Sequence, residues 1–191
     1  MIVYLHGFNS SPRSAKAQLF GRYLEERRLG AAWTCPSLPH QPFAVVAAVE
    51  DEMSRHRGPF CFVGSSLGGF YATYLAEKHD ARAVLLNPAI DPHVGLRAYL
   101  GEQANLHSGE RYQLTERHLD EWRSLYATHI DPDRYLLIVE RGDETLDYRA
   151  AQDRYAGARQ IVIEGGDHAL QSFPQHLSLI LDFAGITLPP V

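Results

Sequence analysis

The chain has 191 residues, 45% hydrophobic and 21% charged, the balance of one soluble globular domain large enough for a layered core. A net charge of -5, with basic residues that are nearly all arginine and scattered, argues against a nucleic-acid partner; no apolar run approaches the ~20 residues a membrane span needs. The opening MIVYLHGF has neither a basic segment nor a small-residue cleavage site, and Cys35 and Cys61 are too few for a disulfide framework, so the expected compartment is a reducing cytoplasm with both cysteines acting as small buried apolar residues.

In chain order, short apolar runs alternate with longer amphipathic stretches. IVYL (2–5) is the first run, followed by the loop HGFNSSP (6–12). Ser11-Pro12 reads as the N-cap and first residue of a helix with Phe20, Tyr23 and Leu24 on its apolar face and a stop at Gly30. AAWTC (31–35) is the second run, and Pro42 opens a helix that ends before Gly58-Pro59. PFCFV (59–63) leads into the helical FYATYLAEKH (70–79), then the run RAVLLN (82–87). RYLLIVE (134–140) and RQIVIE (159–164) follow, each with a helix behind it, DYRAAQDRYA (147–156) and FPQHLSLILDFAG (173–185).

The runs are continuous rather than alternating, as in strands of a parallel sheet covered on both faces. The rhythm predicts one three-layer α/β domain over 1–191, with a mostly parallel sheet of about six strands. One interval, 91–133, shows no strand signal but two helical stretches. Its length favours a small helical cap, with Leu119, Trp122 and Tyr126 at helical spacing and Trp122 and Tyr126 as candidate substrate contacts. The alternative is a crossover helix packed on the sheet.

Gly64-Ser65-Ser66-Leu67-Gly68 fits G-x-S-x-G, between a strand-like and a helix-like stretch. In such an elbow the central serine sits on a strained turn, and its neighbours are small because strand and helix pass close by. Ser66 is therefore the candidate nucleophile, and Ser65 fills the variable position. In a hydrolase of this kind an acid and then a histidine follow in the chain. RGDETLDY (141–148) supplies Asp143, favoured because it leaves its strand almost at once; Glu144 is the weaker alternative, and Asp147 suits a helix cap. GGDHAL (165–170) supplies His168 after the last strand, on the edge where open α/β sheets bind ligands. The backbone N–H groups of Phe8 and Leu67 are the candidate oxyanion hole, with Gly7 allowing close approach and His6 holding the loop. The other histidines make no metal-binding pair, and no cofactor is implied.

YLHGFNSSPRSAKA, GSSLGG, YLG, GDETLDYR and VIEGGDHA together resemble the YqiA-like esterases, a compact bacterial branch of the α/β-hydrolase superfamily, over nearly the whole chain. The resemblance implies a fold that begins at the oxyanion strand, esterase or thioesterase activity on acyl substrates, and triad positions at Ser66, Asp143 and His168. The family's usual GGNHA is here GGDHA, so Asp167 is a departure. The expected function is hydrolysis of a small-molecule acyl ester or thioester, acyl-CoA among the candidates, through an acyl-enzyme. Acyl transfer or perhydrolysis with the same triad, or a non-catalytic binding protein on this scaffold, are the rivals.

Overall fold

The computed structural model describes residues 1–186. Six parallel strands form one sheet in the order β2-β1-β3-β4-β7-β8. They are β1 (Ile2–Leu5), β2 (Trp33–Thr34), β3 (Cys61–Ser65), β4 (Arg82–Leu86), β7 (Tyr135–Glu140) and β8 (Arg159–Ile163). Helices cover both faces, as the continuous apolar runs predicted. The period-two alternation of side chains sorts each strand between two cores. Val3, Leu5, Phe62, Leu85 and Leu137 pack with α2 (Pro42–Ser54), α3 (Leu67–His79) and α5 (Glu116–Ser124). Ile2, Tyr4, Val63, Val84 and Ile138 pack with α1 (Ala15–Glu26) and α7 (Leu177–Phe183). Helix α6 (Tyr148–Arg154) follows β7 and contributes Ala151 to the first of these cores. Burial pushes both cysteine thiols up to about 12, which disfavours the thiolate; Cys61 is buried as expected, whereas Cys35 is only half-buried.

Several boundaries differ from the sequence pattern. Helix α1 starts at Ala15 rather than Pro12, because Ser11 turns the chain first: its Oγ accepts from Arg13 N and its carbonyl from Ser14 N, both at 3.0 Å. Strand β2 shrinks to two residues, and α3 begins at Leu67, directly behind Ser66.

The interval 91–133 contains α4 (Pro92–Gly95) and α5, and between them a hairpin that the sequence reading did not anticipate, β5 (Gly101–Ala104) antiparallel to β6 (Arg111–Leu114). GEQA and RYQL carry too little apolar residue to register as strands. The turn is built by Asn105, whose Oδ1 accepts from His107 N and Ser108 N at 2.9 Å, and by Gly109 at φ +73°. The expected helical cap, with Trp122 as a substrate contact, also needs correction at α5. Trp122 is 1% exposed and donates its indole N–H to Tyr71 Oη of α3 at 2.7 Å, with Leu119 buried beside it. Helix α5 thus packs against the helical layer, tied to α3 through Trp122–Tyr71 and to α2 through Phe43 N–Glu121.

Candidate active site

Ser66 sits between β3 and α3 at φ 55°, a left-handed conformation that a non-glycine residue adopts only at a cost of about 1–3 kcal/mol. The surroundings hold it there: its N–H donates to Leu86 O at 3.0 Å, and its carbonyl accepts from Gly69 N and Ala89 N at 2.9 and 3.0 Å. The flanking glycines follow from close approach. A Cβ on Gly64 would lie 2.3 Å from Gly68 O, and one on Gly68 would lie 2.0 Å from Leu5 O.

Asp143 and His168 arrive from the loops behind β7 and β8. The turn before Asp143 depends on Gly142, where a Cβ would meet Gly166 O at 2.3 Å. His168 Nδ1–H donates to Asp143 Oδ2 at 2.8 Å and Oδ1 at 3.0 Å, and Nε2 lies 3.0 Å from Ser66 Oγ. With the proton on Nδ1, Nε2 is left to accept from the serine hydroxyl. The Asp143 side chain is 2% exposed; burial alone would raise its pKa, but the bonds from His168, Leu146 N and Thr145 N outweigh that and hold it below the usual carboxylate range.

The neighbouring carboxylates do other work. Glu144 Oε2 accepts from the backbone N–H of His168 at 3.0 Å, and Asp147 caps α6 by accepting from Arg149 N at 2.9 Å. Asp167 turns into its own loop, accepting from Ala169 N at 2.9 Å and Gln171 Nε2 at 2.7 Å.

Leu67 is the first residue of α3, so its N–H has no partner inside the helix. Phe8 lies in the loop after β1, which runs against the elbow: a Cβ on Gly7 would be 3.3 Å from Ser66 Cβ. His6 fixes that loop. Its Nδ1–H donates to Gly7 O at 3.1 Å and its Nε2 accepts from Leu38 N at 3.2 Å, an arrangement open only to neutral imidazole; burial pulls its pKa down accordingly. The hairpin adds further ties: Tyr112 Oη donates to Asn9 Oδ1 at 2.7 Å, Asn105 Nδ2 to Ser10 O at 2.7 Å, and Leu106 N to Asn9 O at 2.8 Å.

A cleft of about 670 Å³ opens over Ser66 and His168, with Phe8, Ile90, Leu96, Tyr99, Leu106 and Leu146 among its lining. Trp122 and Tyr126 are not in that lining: Trp122 is in the core, and the Tyr126 ring lies under the Arg154 guanidinium at 4.7 Å. The interval 91–133 does reach the cleft, through Leu96, Tyr99 and Leu106. Sequence reasoning also did not single out Asn87, directly behind β4, and Glu140, the last residue of β7, which the structure buries although both are polar.

Among the described residues, no group of three or more His, Cys, Asp or Glu side chains is arranged to hold a metal ion, and no helix is long and apolar enough to cross a membrane.

Solved structures with the same architecture include mouse alpha/beta hydrolase domain-containing protein 10 (TM-score 0.69, 18% identity, 95% of this chain and 88% of that one) and Est1E from Butyrivibrio proteoclasticus (TM-score 0.69, 16% identity, 95% and 85%). A monoacylglycerol lipase from Paleococcus ferrophilus aligns with TM-score 0.67 at 13% identity over 96% of this chain and 93% of its own. These likenesses show the α/β-hydrolase fold. A UPF0227 protein of Pectobacterium carotovorum is 28% identical over 191 residues, 96% of this chain and 98% of that one; one from Serratia proteamaculans is 28% identical over 196 residues, 99% and 100%. The family described as "Uncharacterised protein family (UPF0227)" matches residues 1–185, and the chain belongs to it, in agreement with the YqiA-like motifs.

Proposed function

We propose that this chain is a serine hydrolase of carboxylic esters, thioesters included. The observation that carries the reading is the continuous relay from Asp143 through His168 to Ser66, with separations of 2.8 and 3.0 Å, at the edge of an apolar cleft. His168 Nε2 removes the hydroxyl proton as Ser66 Oγ attacks the acyl carbon. Asp143 keeps the imidazole in the Nδ1–H tautomer and stabilises the imidazolium that forms. The N–H groups of Phe8 and Leu67 receive the developing oxyanion. The imidazolium then protonates the departing alcohol or thiol, and His168 activates a water that cleaves the acyl-enzyme.

The fold neighbour named as a monoacylglycerol lipase is consistent with this chemistry, and the apolar lining suits an acyl group. The direct test is a fluorophosphonate probe followed by peptide mapping. Label on Ser66, competed by an ester or thioester substrate, supports the reading. An unlabelled, folded protein that binds acyl compounds without turnover would replace it with a binding function. Product analysis with competing alcohol or peroxide acceptors separates hydrolysis from acyl transfer.

A further inference from the structure

The side chain of Glu140, the last residue of β7, is buried (1% exposed), and no step above uses it. Its Oε1 accepts from Ser172 N at 2.7 Å, and its Oε2 accepts from Asp167 N at 2.8 Å and Gln171 N at 3.1 Å. All three donors belong to the loop that carries His168. The carboxylate lies directly under the turn into that loop, since a Cβ on Gly166 would come 1.9 Å from Oε2. Among the described residues no cation stands within ion-pair distance of Glu140. Burial itself pushes its pKa up, but the Ser172 side chain and those three N–H dipoles outweigh that and hold it below the usual range. Two more side chains grip the same loop. Asn87 accepts from Glu140 N at 3.0 Å and donates to Asp167 O at 3.0 Å, and Lys16 Nζ donates to Ala169 O at 2.8 Å.

We propose that Glu140 is a positioning residue, which sets His168 for proton transfer by holding its loop through three backbone N–H groups. The proposal rests on the Ser66–His168 reading above. The charge matters because both oxygens are acceptors. A glutamine at this position keeps one acceptor and turns an NH2 toward an N–H, which leaves at least one loop donor unpaired and pushes the loop away. A displacement of about 1 Å at a catalytic group costs on the order of a hundredfold in rate.

The test compares Glu140→Gln and Glu140→Asp with wild type, Ser66→Ala and His168→Ala on one ester. Glu140→Gln is expected to lower kcat by about a hundredfold, with KM within about threefold, and to slow fluorophosphonate labelling of Ser66 in parallel. Glu140→Asp, which keeps both acceptors with a shorter reach, falls between Gln and wild type. If Glu140→Gln does not fold, Glu140→Asp carries the same test through its own kcat-against-KM split. Wild-type kcat in the folded variant, or a loss that only tracks the folded fraction, overturns the role of Glu140 alone. Activity retained by Ser66→Ala or His168→Ala would bring down the underlying reading and this proposal with it, a distinguishable result.

Discussion

Ser66 is held at φ 55° by three backbone hydrogen bonds, and that strain aims its hydroxyl toward His168 and the cleft. Ser65, its neighbour, is the buried end of β3. Ser66→Ala is therefore expected to lower turnover by on the order of a million-fold with unchanged melting, whereas Ser65→Ala keeps measurable activity. Steady-state hydrolysis by the two variants decides, and the reverse ranking would move the nucleophile. Asp143 and Asp147 stand four positions apart but meet different partners: the first takes His168 Nδ1, the second takes the Arg149 N–H at the start of α6. Asp143→Asn is expected to cost about four orders of magnitude in kcat by leaving the wrong imidazole tautomer. Asp147→Asn should leave kcat near wild type, because asparagine caps a helix about as well. Equal losses in the two would show that Asp143 has no special place.

At the scale of elements, the hairpin β5–β6 stands beside the loop after β1 and the cleft. Its Tyr112 bonds Asn9, its turn bonds Ser10, and Leu106 lines the cleft while 81% exposed. Tyr112→Phe removes one loop tether worth about 0.5–1.5 kcal/mol, so kcat should fall by up to about tenfold with KM little changed. Helix α5 plays a different part. Trp122→Ala is expected to cost about 3–5 kcal/mol of stability through the cavity it leaves, with the preference between short and long acyl esters unaltered. Leu106→Ala should do the converse, with melting preserved and the chain-length profile shifted. Denaturant unfolding and an ester series on the two variants provide both readings, and an unshifted profile in Leu106→Ala would remove the hairpin from substrate selection.

For the whole molecule, acid is the direction of weakness. Asp143 and Glu140 are held below the usual carboxylate range, so their contributions are complete above about pH 4 and are lost as pH falls through their folded values. His6 and His118 are pulled the same way, by burial first, and each accepts from a backbone N–H, His6 from Leu38 and His118 from Thr115. Both stay neutral in the fold while the unfolded chain takes up their protons below about pH 6.5. The melting temperature should therefore be flat near neutrality and decline from about pH 6.5 downward, as thermal unfolding across a pH series will record. A rise in stability on mild acidification would contradict the burial of these groups. The sequence alone determined the α/β layering and the elbow, because apolar runs, glycine spacing and strand–helix alternation are local properties that burial on both faces imposes residue by residue. It also favoured Asp143 as the carboxylate partner, with Glu144 the weaker alternative and Asp147 a helix cap. Only tertiary structure brings the Asp143 carboxylate to the imidazole, since His168 lies on a different strand's loop and the pairing depends on sheet order. The same reason hid the rest. GEQA and RYQL become strands by pairing with each other beside the loop after β1, Trp122 becomes core because Tyr71 waits across the helix pair, and Glu140 tolerates burial because a loop far along the chain brings it three N–H groups.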